Sequence, residues 1–372
     1  MLYPLAMKTG TADSPLHYGR APRWLFSRMA QLAGRIAEVA ILEEGTDRFL
    51  TRLSDPHWFQ ALGCVLGFDW HSSGLTTTTC AAIKQGIAGR ERELGLFAAG
   101  GKGAASRKTP QEITSWGEMT GIDAPALVTV SRTTAKVDSA AVQDGYQIYQ
   151  HVLFFDASGR WAVVQQGMNE TIRTARRYHW LSSAVTDFVC EPHAAVCCDR
   201  RGPTLNLVAL ESAGARTATA ELSRQSPDRL VAQLDHLKAL HLPKRHQVQL
   251  QDIAPARLSR IFLSTYEAQP EGFLPLLRLP GVGAKTLRAL SLISELVYGQ
   301  APSFEDPARF SFAHGGKDGT PYPVDQETYD ASIDTLERAI RTAKLGKEET
   351  LAAFRRLNHA FGKPNESGVA SR

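Results

Sequence analysis

The chain has few cysteines and pairs none of them by motif. There are 5 in 372 residues, Cys64, Cys80, Cys190, Cys197 and Cys198, an odd set without a Cys-x-x-Cys pair. That spacing argues against a disulfide framework or a zinc ribbon and fits a reducing cytosol. His193 lies near Cys190, Cys197 and Cys198, but the spacing is poor for a metal, and buried thiols account for the cysteines. No apolar run reaches membrane-spanning length, so no membrane partner is expected. The N-terminal stretch lacks a secretory pattern: Leu2 to Met7 is too short for an apolar core and is followed by Lys8, Asp13 and Arg20. Charge of one sign is also lacking. The net charge is +4, which permits nucleic-acid binding through local patches without arguing for it. The length predicts two or three domains with a substantial core.

What is present is one well-marked stretch, Leu279-Pro280-Gly281-Val282-Gly283-Ala284-Lys285-Thr286. A helix is predicted to start near Ala284, because Leu287, Leu290, Ile293 and Val297 recur on one face. Gly272 to Leu279 reads as a short helix ending at Pro280. Two helices joined through Gly281 and Gly283 let the backbone approach another molecule. The first N–H groups of the second helix lack intrahelical partners and suit a phosphate. Lys285 opposes the helix dipole there, so its charge makes sense facing an anion. The plain alternative is a tight turn with a glycine cap. A Walker loop is excluded, because Ala284 separates Gly283 from Lys285.

Along the rest of the chain, Pro22 to Leu42 reads as an amphipathic helix stopped by Gly45, and Ser54-Asp55-Pro56 as the start of another. Phe68 to Gly74 is a polar and aromatic turn, in which Asp69 beside His71 could orient an imidazole or bind a metal. Ala99 to Pro110 reads as a Gly-rich basic loop, with Lys102, Arg107 and Lys108 as phosphate contacts or as a solvated linker. Tyr146 to Phe155 and Trp161 to Gln165 read as a strand hairpin. Met168 to Trp180 reads as a helix or polar connection, and Leu205 to Leu210 as a further strand. From Ser226 onward the pattern is helical, with a last amphipathic helix over Tyr329 to Leu345 and a frayed end from Asn365. A second Gly-Gly-Lys loop carries Lys317. The expected fold is α+β and mostly helical, divided as 1–125, a small sheet-containing unit over 126–215, and a helical unit over 216–365.

One enzyme reading and one binding reading follow from the residues, and a resemblance adds a second enzyme reading. Asp138 and Asp144 before the first strand, with Gln166 at the end of the second, could hold Mg²⁺ and activate water for phosphodiester cleavage. Surface acids beside Gly145 are the alternative. The Leu279 to Thr286 string resembles that of bifunctional DNA glycosylases, and that resemblance implies Lys285 as an amine that attacks a sugar carbon if its pKa is lowered, with Asp306 as the nearest assisting acid. An exposed first-turn lysine needs only its charge to contact a phosphate.

The Leu279 to Thr286 string resembles the helix–hairpin–helix of DNA repair and recombination proteins, including the DNA glycosylases. That resemblance implies DNA as the partner, contacted by Gly281, Gly283, Ala284, Lys285 and Thr286, and a cytoplasmic, nucleoid-associated protein. In bifunctional glycosylases a lysine sits two residues after the second hairpin glycine, the place of Lys285; Asp306 lies later than the acid that follows in those enzymes. The central strands are loosely similar to a restriction-type nuclease core, but Gln165-Gln166-Gly167 stands where an acid-x-Lys is expected. The strings Phe68 to Gly74, Gly100 to Pro110, Gln165 to Asn169, Ala175 to Trp180 and Phe312 to Asp325 together resemble the prokaryotic family catalogued as domain of unknown function 763. The expectation is therefore a DNA-binding protein of repair or processing, with a metal-dependent nuclease as the leading enzyme, a glycosylase or lyase using Lys285 behind it, and a non-catalytic binding module as the opposing class.

Overall fold

The computed structural model describes residues 23–68, 73–198, 201–240, 253–309, 334, 336–342 and 346–361. Three helices open the chain: α1 (Arg23–Ser54), α2 (Pro56–Val65) and α3 (Gly74–Gly86). Gly45, with φ of 86°, kinks α1 without ending it, so the helix runs past the stop expected there. Asp55 caps α2 as the sequence suggests, accepting from the backbone N–H of His57 at 2.8 Å and of Trp58 at 3.3 Å. The Thr76 to Thr79 run lies inside α3.

After the short α4 (Glu91–Leu94) comes β1 (Leu96–Lys102), then a 3₁₀ turn over Gly103–Lys108. The loop expected over Ala99 to Pro110 is thus strand as far as Lys102, then the 3₁₀ turn and the start of a helix at Thr109. Glycine is needed in it because a Cβ on Gly100 would lie 2.2 Å from the His151 carbonyl oxygen. Helices α5 (Thr109–Thr120) and α6 (Ala124–Lys136) follow, and a π-helical turn over Val137–Ala141 leads to β2 (Val142–Gln143). The central strands are β3 (Gln147–Asp156), β4 (Trp161–Asn169), β5 (Thr174–Leu181) and β6 (Ala195–Cys197). The segment expected as a helix or polar connection from Met168 is therefore the end of β4 and all of β5. Every residue of β5 is buried. Its arginines, histidine and aromatics find partners inside, which hides the usual strand alternation.

The sheet is antiparallel in the order β1-β3-β4-β5-β6; β2 pairs separately with the two-residue β7 (Leu205–Asn206). Strands at 96–102 and 147–197 share this sheet, so the expected boundary at 125 falls between β1 and its neighbour β3. Helices cover both faces. Leu96, Ala98, Val152, Phe154 and Val164 pack on α1–α3, together with α12 (Lys347–Phe361), whose Leu357 joins that core. Phe97, Leu153, Phe155, Val163 and Trp180 belong to the opposite core. That core continues into α7 (Ala213–Leu222), α8 (Pro227–Lys238), α9 (Pro255–Ala268), α10 (Phe273–Arg278) and α11 (Ala284–Tyr298). The helix expected over Tyr329 to Leu345 is described at 336–342, and α12 was not anticipated. The frayed end expected from Asn365 lies outside the described residues. Among the described residues no helix is long and apolar enough to cross a membrane.

Candidate functional site

The turn between α10 and α11 is built from its smallest residues. Gly281 adopts φ of +82°, and Val282 is fully buried, pinning the turn to the core. Gly283 is the N-cap of α11 in extended conformation; no side chain caps the helix and no acid stands in its first turn. A Cβ on Gly283 would meet nothing nearer than the Gly281 carbonyl oxygen at 4.0 Å, so the approach to the helix end is open. Gly281 and Lys285 are exposed, and Gly283 and Ala284 half-buried. Thr286 is 2% exposed, which removes it from the surface set expected from the sequence: its side chain faces the core. Gln143 ties the turn to the sheet, donating to the Ala284 carbonyl at 3.0 Å and the Ala140 carbonyl at 2.8 Å.

The acids expected at a metal site are consumed by the fold. Asp138 Oδ2 accepts from Gln165 Nε2 at 2.5 Å and Trp180 Nε1 at 2.9 Å, and its Oδ1 faces His193 Nε2 at 2.5 Å. Asp144 Oδ2 accepts from Arg176 Nη1 at 2.8 Å and the Tyr178 hydroxyl at 2.6 Å, and Oδ1 from the Tyr146 N–H at 3.0 Å. Both carboxylates have 0% side-chain exposure. Burial pushes the Asp144 carboxyl up, against the pull of Arg176. Gln166 belongs to neither network, because it points to the other face of the sheet from Gln165. The expected Asp138, Asp144 and Gln166 cluster is therefore not an open site.

Asp306 is equally committed. Its Oδ2 accepts from Arg176 Nη2 at 2.7 Å and the Gly202 N–H at 2.9 Å, and its Oδ1 from the Ala308 N–H at 2.9 Å. It serves a buried arginine rather than Lys285. Asp69, His71 and Lys317 lie outside the described residues. Among the described residues no group of three or more His, Cys, Asp or Glu side chains could hold a metal ion.

A cleft of about 1500 Å³ opens along the free edge of β1, between α3 and α5, and Lys102 and Lys108 border it. Arg107 is exposed on the same 3₁₀ turn. The strand edge is closed at Gly100 by an ion pair. Lys84 Nζ donates to the Gly100 carbonyl at 2.9 Å and to Glu112 Oε2 at 2.6 Å, and Glu112 accepts from the Gly100 N–H at 2.8 Å. The Lys102 ammonium stands 5.5 Å from the centre of the Tyr149 ring. Burial raises the Tyr149 phenol, which stays neutral. Nothing in the sequence singles out Lys84, Glu112 or Tyr149; the only local signal was the basic glycine run itself.

No curated protein matches the chain, and no solved structure does. A family model matches residues 10–324, spanning the sheet, both helical layers, the cleft and the turn before α11. On that match, the chain belongs to the family described as protein of unknown function, DUF763.

Proposed function

We propose that the chain binds DNA by its phosphate backbone, without reading sequence, through the turn between α10 and α11, as part of DNA repair or processing. The carrying observation is the uncapped N-terminus of α11 behind an open glycine turn with Lys285 exposed beside it. Unclaimed N–H groups and the positive dipole end there match a phosphate. On this reading the turn serves as a helix–hairpin–helix, and Arg257 on α9 adds a cation one helical turn before Ile261, whose side chain a Cβ on Gly281 would meet at 2.6 Å. The reading is of binding rather than cleavage. Asp138 and Asp144 have their oxygens occupied by donors, and Asp306 is bound to Arg176, so neither a two-acid Mg²⁺ centre nor an assisted lysine nucleophile has its parts. A nucleoid location follows from this reading.

The test is binding of the full chain to unrelated duplexes across a salt series. Affinity should fall steeply with salt and be alike for all sequences. EDTA should leave it unchanged. Gly283→Asp should abolish it, because a carboxylate would stand where the phosphate sits. Lys285→Ala should weaken it by about tenfold or less on every sequence, and Lys285→Arg should retain most of it. Salt-independent binding, or wild-type binding by a folded Gly283→Asp, would overturn the proposal. A borohydride-trapped adduct on abasic DNA that vanishes in Lys285→Arg would move the chain to the lyase class.

A further inference from the structure

A strand has two hydrogen-bonding edges, and β1 uses one of them for β3. On its other edge Gly100 turns both its N–H and its C=O away from the sheet, to Glu112 and Lys84. That direction recurs at every second residue, so Ala98 and Lys102 aim their backbone groups the same way. Neither has a backbone hydrogen-bond partner on that side among the described residues. Ala98 is 5% exposed, and backbone groups so far from water are rarely left unpaired. The opposite edge of the sheet is treated differently. There the Arg309 N–H donates to the Val196 carbonyl of β6 at 3.2 Å.

The unpaired edge is the floor of the cleft. Ala98, Gly100, Gly101 and Lys102 line it directly. From Ala98 to Gly101 no side chain exceeds a methyl group, so a second backbone can approach to strand spacing, about 4.8 Å. The walls are small or apolar: Ala81 on α3 and Ala88 just beyond it, and Ser115, Trp116 and Met119 on α5. Such walls suit the alternate side chains of an extended chain. The two ends differ in charge, with Glu91 before the start of β1 and Lys102 and Lys108 at its end. Lys84 and Glu112 give Gly100 the donor and the acceptor that a neighbouring strand would supply. Their side chains are each 34% exposed, so the pair can swing out to water. The recess selects the occupant. A second copy has its own β1 at the bottom of the same cleft, so two such edges cannot meet, whereas a single extended chain can enter.

We propose that the cleft takes an extended peptide of a partner protein as a further strand beside β1, apolar at alternate positions and with a carboxylate at the Lys102 end. The peptide backbone replaces Glu112 and Lys84 at Gly100 and pairs the free groups of Ala98 and Lys102. This surface is separate from the turn before α11 and stands whether or not that turn binds DNA.

The experiment screens the full chain against a library of synthetic heptapeptides, apolar at alternate positions and acidic at one end, and follows the tightest by fluorescence anisotropy. At least one should bind with a Kd below about 100 μM. Methylating its backbone nitrogens at alternate positions should abolish binding in one register and change it by less than about threefold in the other, because a strand meets its neighbour with every second residue. This arm uses the unaltered protein and so does not depend on any variant folding. Ala88→Trp, at an exposed position of the wall, should weaken binding by about tenfold or more. Glu112→Ala should tighten it, because it frees the Gly100 N–H. Gly283→Asp should leave it intact. Absence of binding by every heptapeptide, equal effects of methylation in both registers, or weaker binding by a folded Glu112→Ala would overturn the proposal. So would a concentration-dependent dimer in sedimentation that Ala88→Trp abolishes, which would assign the edge to a second copy.

Discussion

Gln165 and Gln166 are neighbours on β4, both fully buried, and they face opposite layers of the molecule. Gln165 is saturated. Its Nε2 donates to Asp138, so its Oε1, 3.0 Å from His151 Nδ1, must accept the proton carried there. The His151 Nε2 is then an acceptor for the Ser131 hydroxyl at 2.8 Å. The chain of bonds from Ser131 through His151 and Gln165 to Asp138, Trp180 and His193 uses every member. It has the ingredients of a relay, but Ser131 is 3% exposed and outside the cleft, so the network holds α6 and the π-helical turn to the sheet. Across the same strand, Gln166 has no partner among the described residues. A closed polar network of this kind marks architecture.

The largest expected effect lies on the saturated side. Asp144→Ala removes one of the two carboxylates that hold the buried Arg176 and the acceptor of the Tyr178 hydroxyl, and should lower stability by about 3–5 kcal/mol in urea unfolding. A variant with wild-type stability would return Asp144 to the list of functional groups and break the comparison. Acid should act on both faces at once. Burial lowers the His151 imidazole from its usual range and holds His179 well below it, which favours the neutral form of both in the folded chain. The unfolded chain protonates them near their ordinary pKa of about 6.5. Below that pH the unfolded state binds more protons, so stability falls as pH drops, by up to about 1.4 kcal/mol per unit for each histidine. Unfolding measured from pH 7.5 to 5 should show this loss, and His151→Gln should flatten the slope over that range. The smallest effects sharpen the comparison most. Gln165→Leu should lower stability by about 1–3 kcal/mol, stranding His151 Nδ1 and removing one of the donors to Asp138, while Gln166→Leu should cost nothing or stabilise slightly. Equal losses in the two would show that Gln166 is satisfied within the fold.

Much of the local structure was legible. Asp55 and Pro56 announce α2, and Asp156 to Gly159 announce the β3–β4 turn, where Asp156 Oδ1 accepts from the Ser158 N–H at 2.9 Å and Gly159 takes φ of 83°. The start of α11 at Ala284 follows from the leucine spacing after Gly283. Strand β5 was not legible, because arginine and histidine at alternate sites look solvent-facing until helices are known to cover both sides of the sheet. The candidate sites divide in the same way. The glycine turn could be read from its own residues, whereas Asp138, Asp144 and Asp306 looked like available acids until their partners, 27 to 130 residues away, were in place.

The sequence by itself determined the elements whose causes are local: capping residues, turn glycines, helix periodicity, and the uncapped helix end at Gly283. Those depend on backbone sterics and hydrogen bonds within a few residues. Only the tertiary structure decided which carboxylates are spent on buried cations, which side of the sheet each glutamine faces, and that Lys102 lies in register with Gln166. These are matters of strand pairing and desolvation between distant segments, and a one-residue shift of register would have exchanged the roles of Gln165 and Gln166.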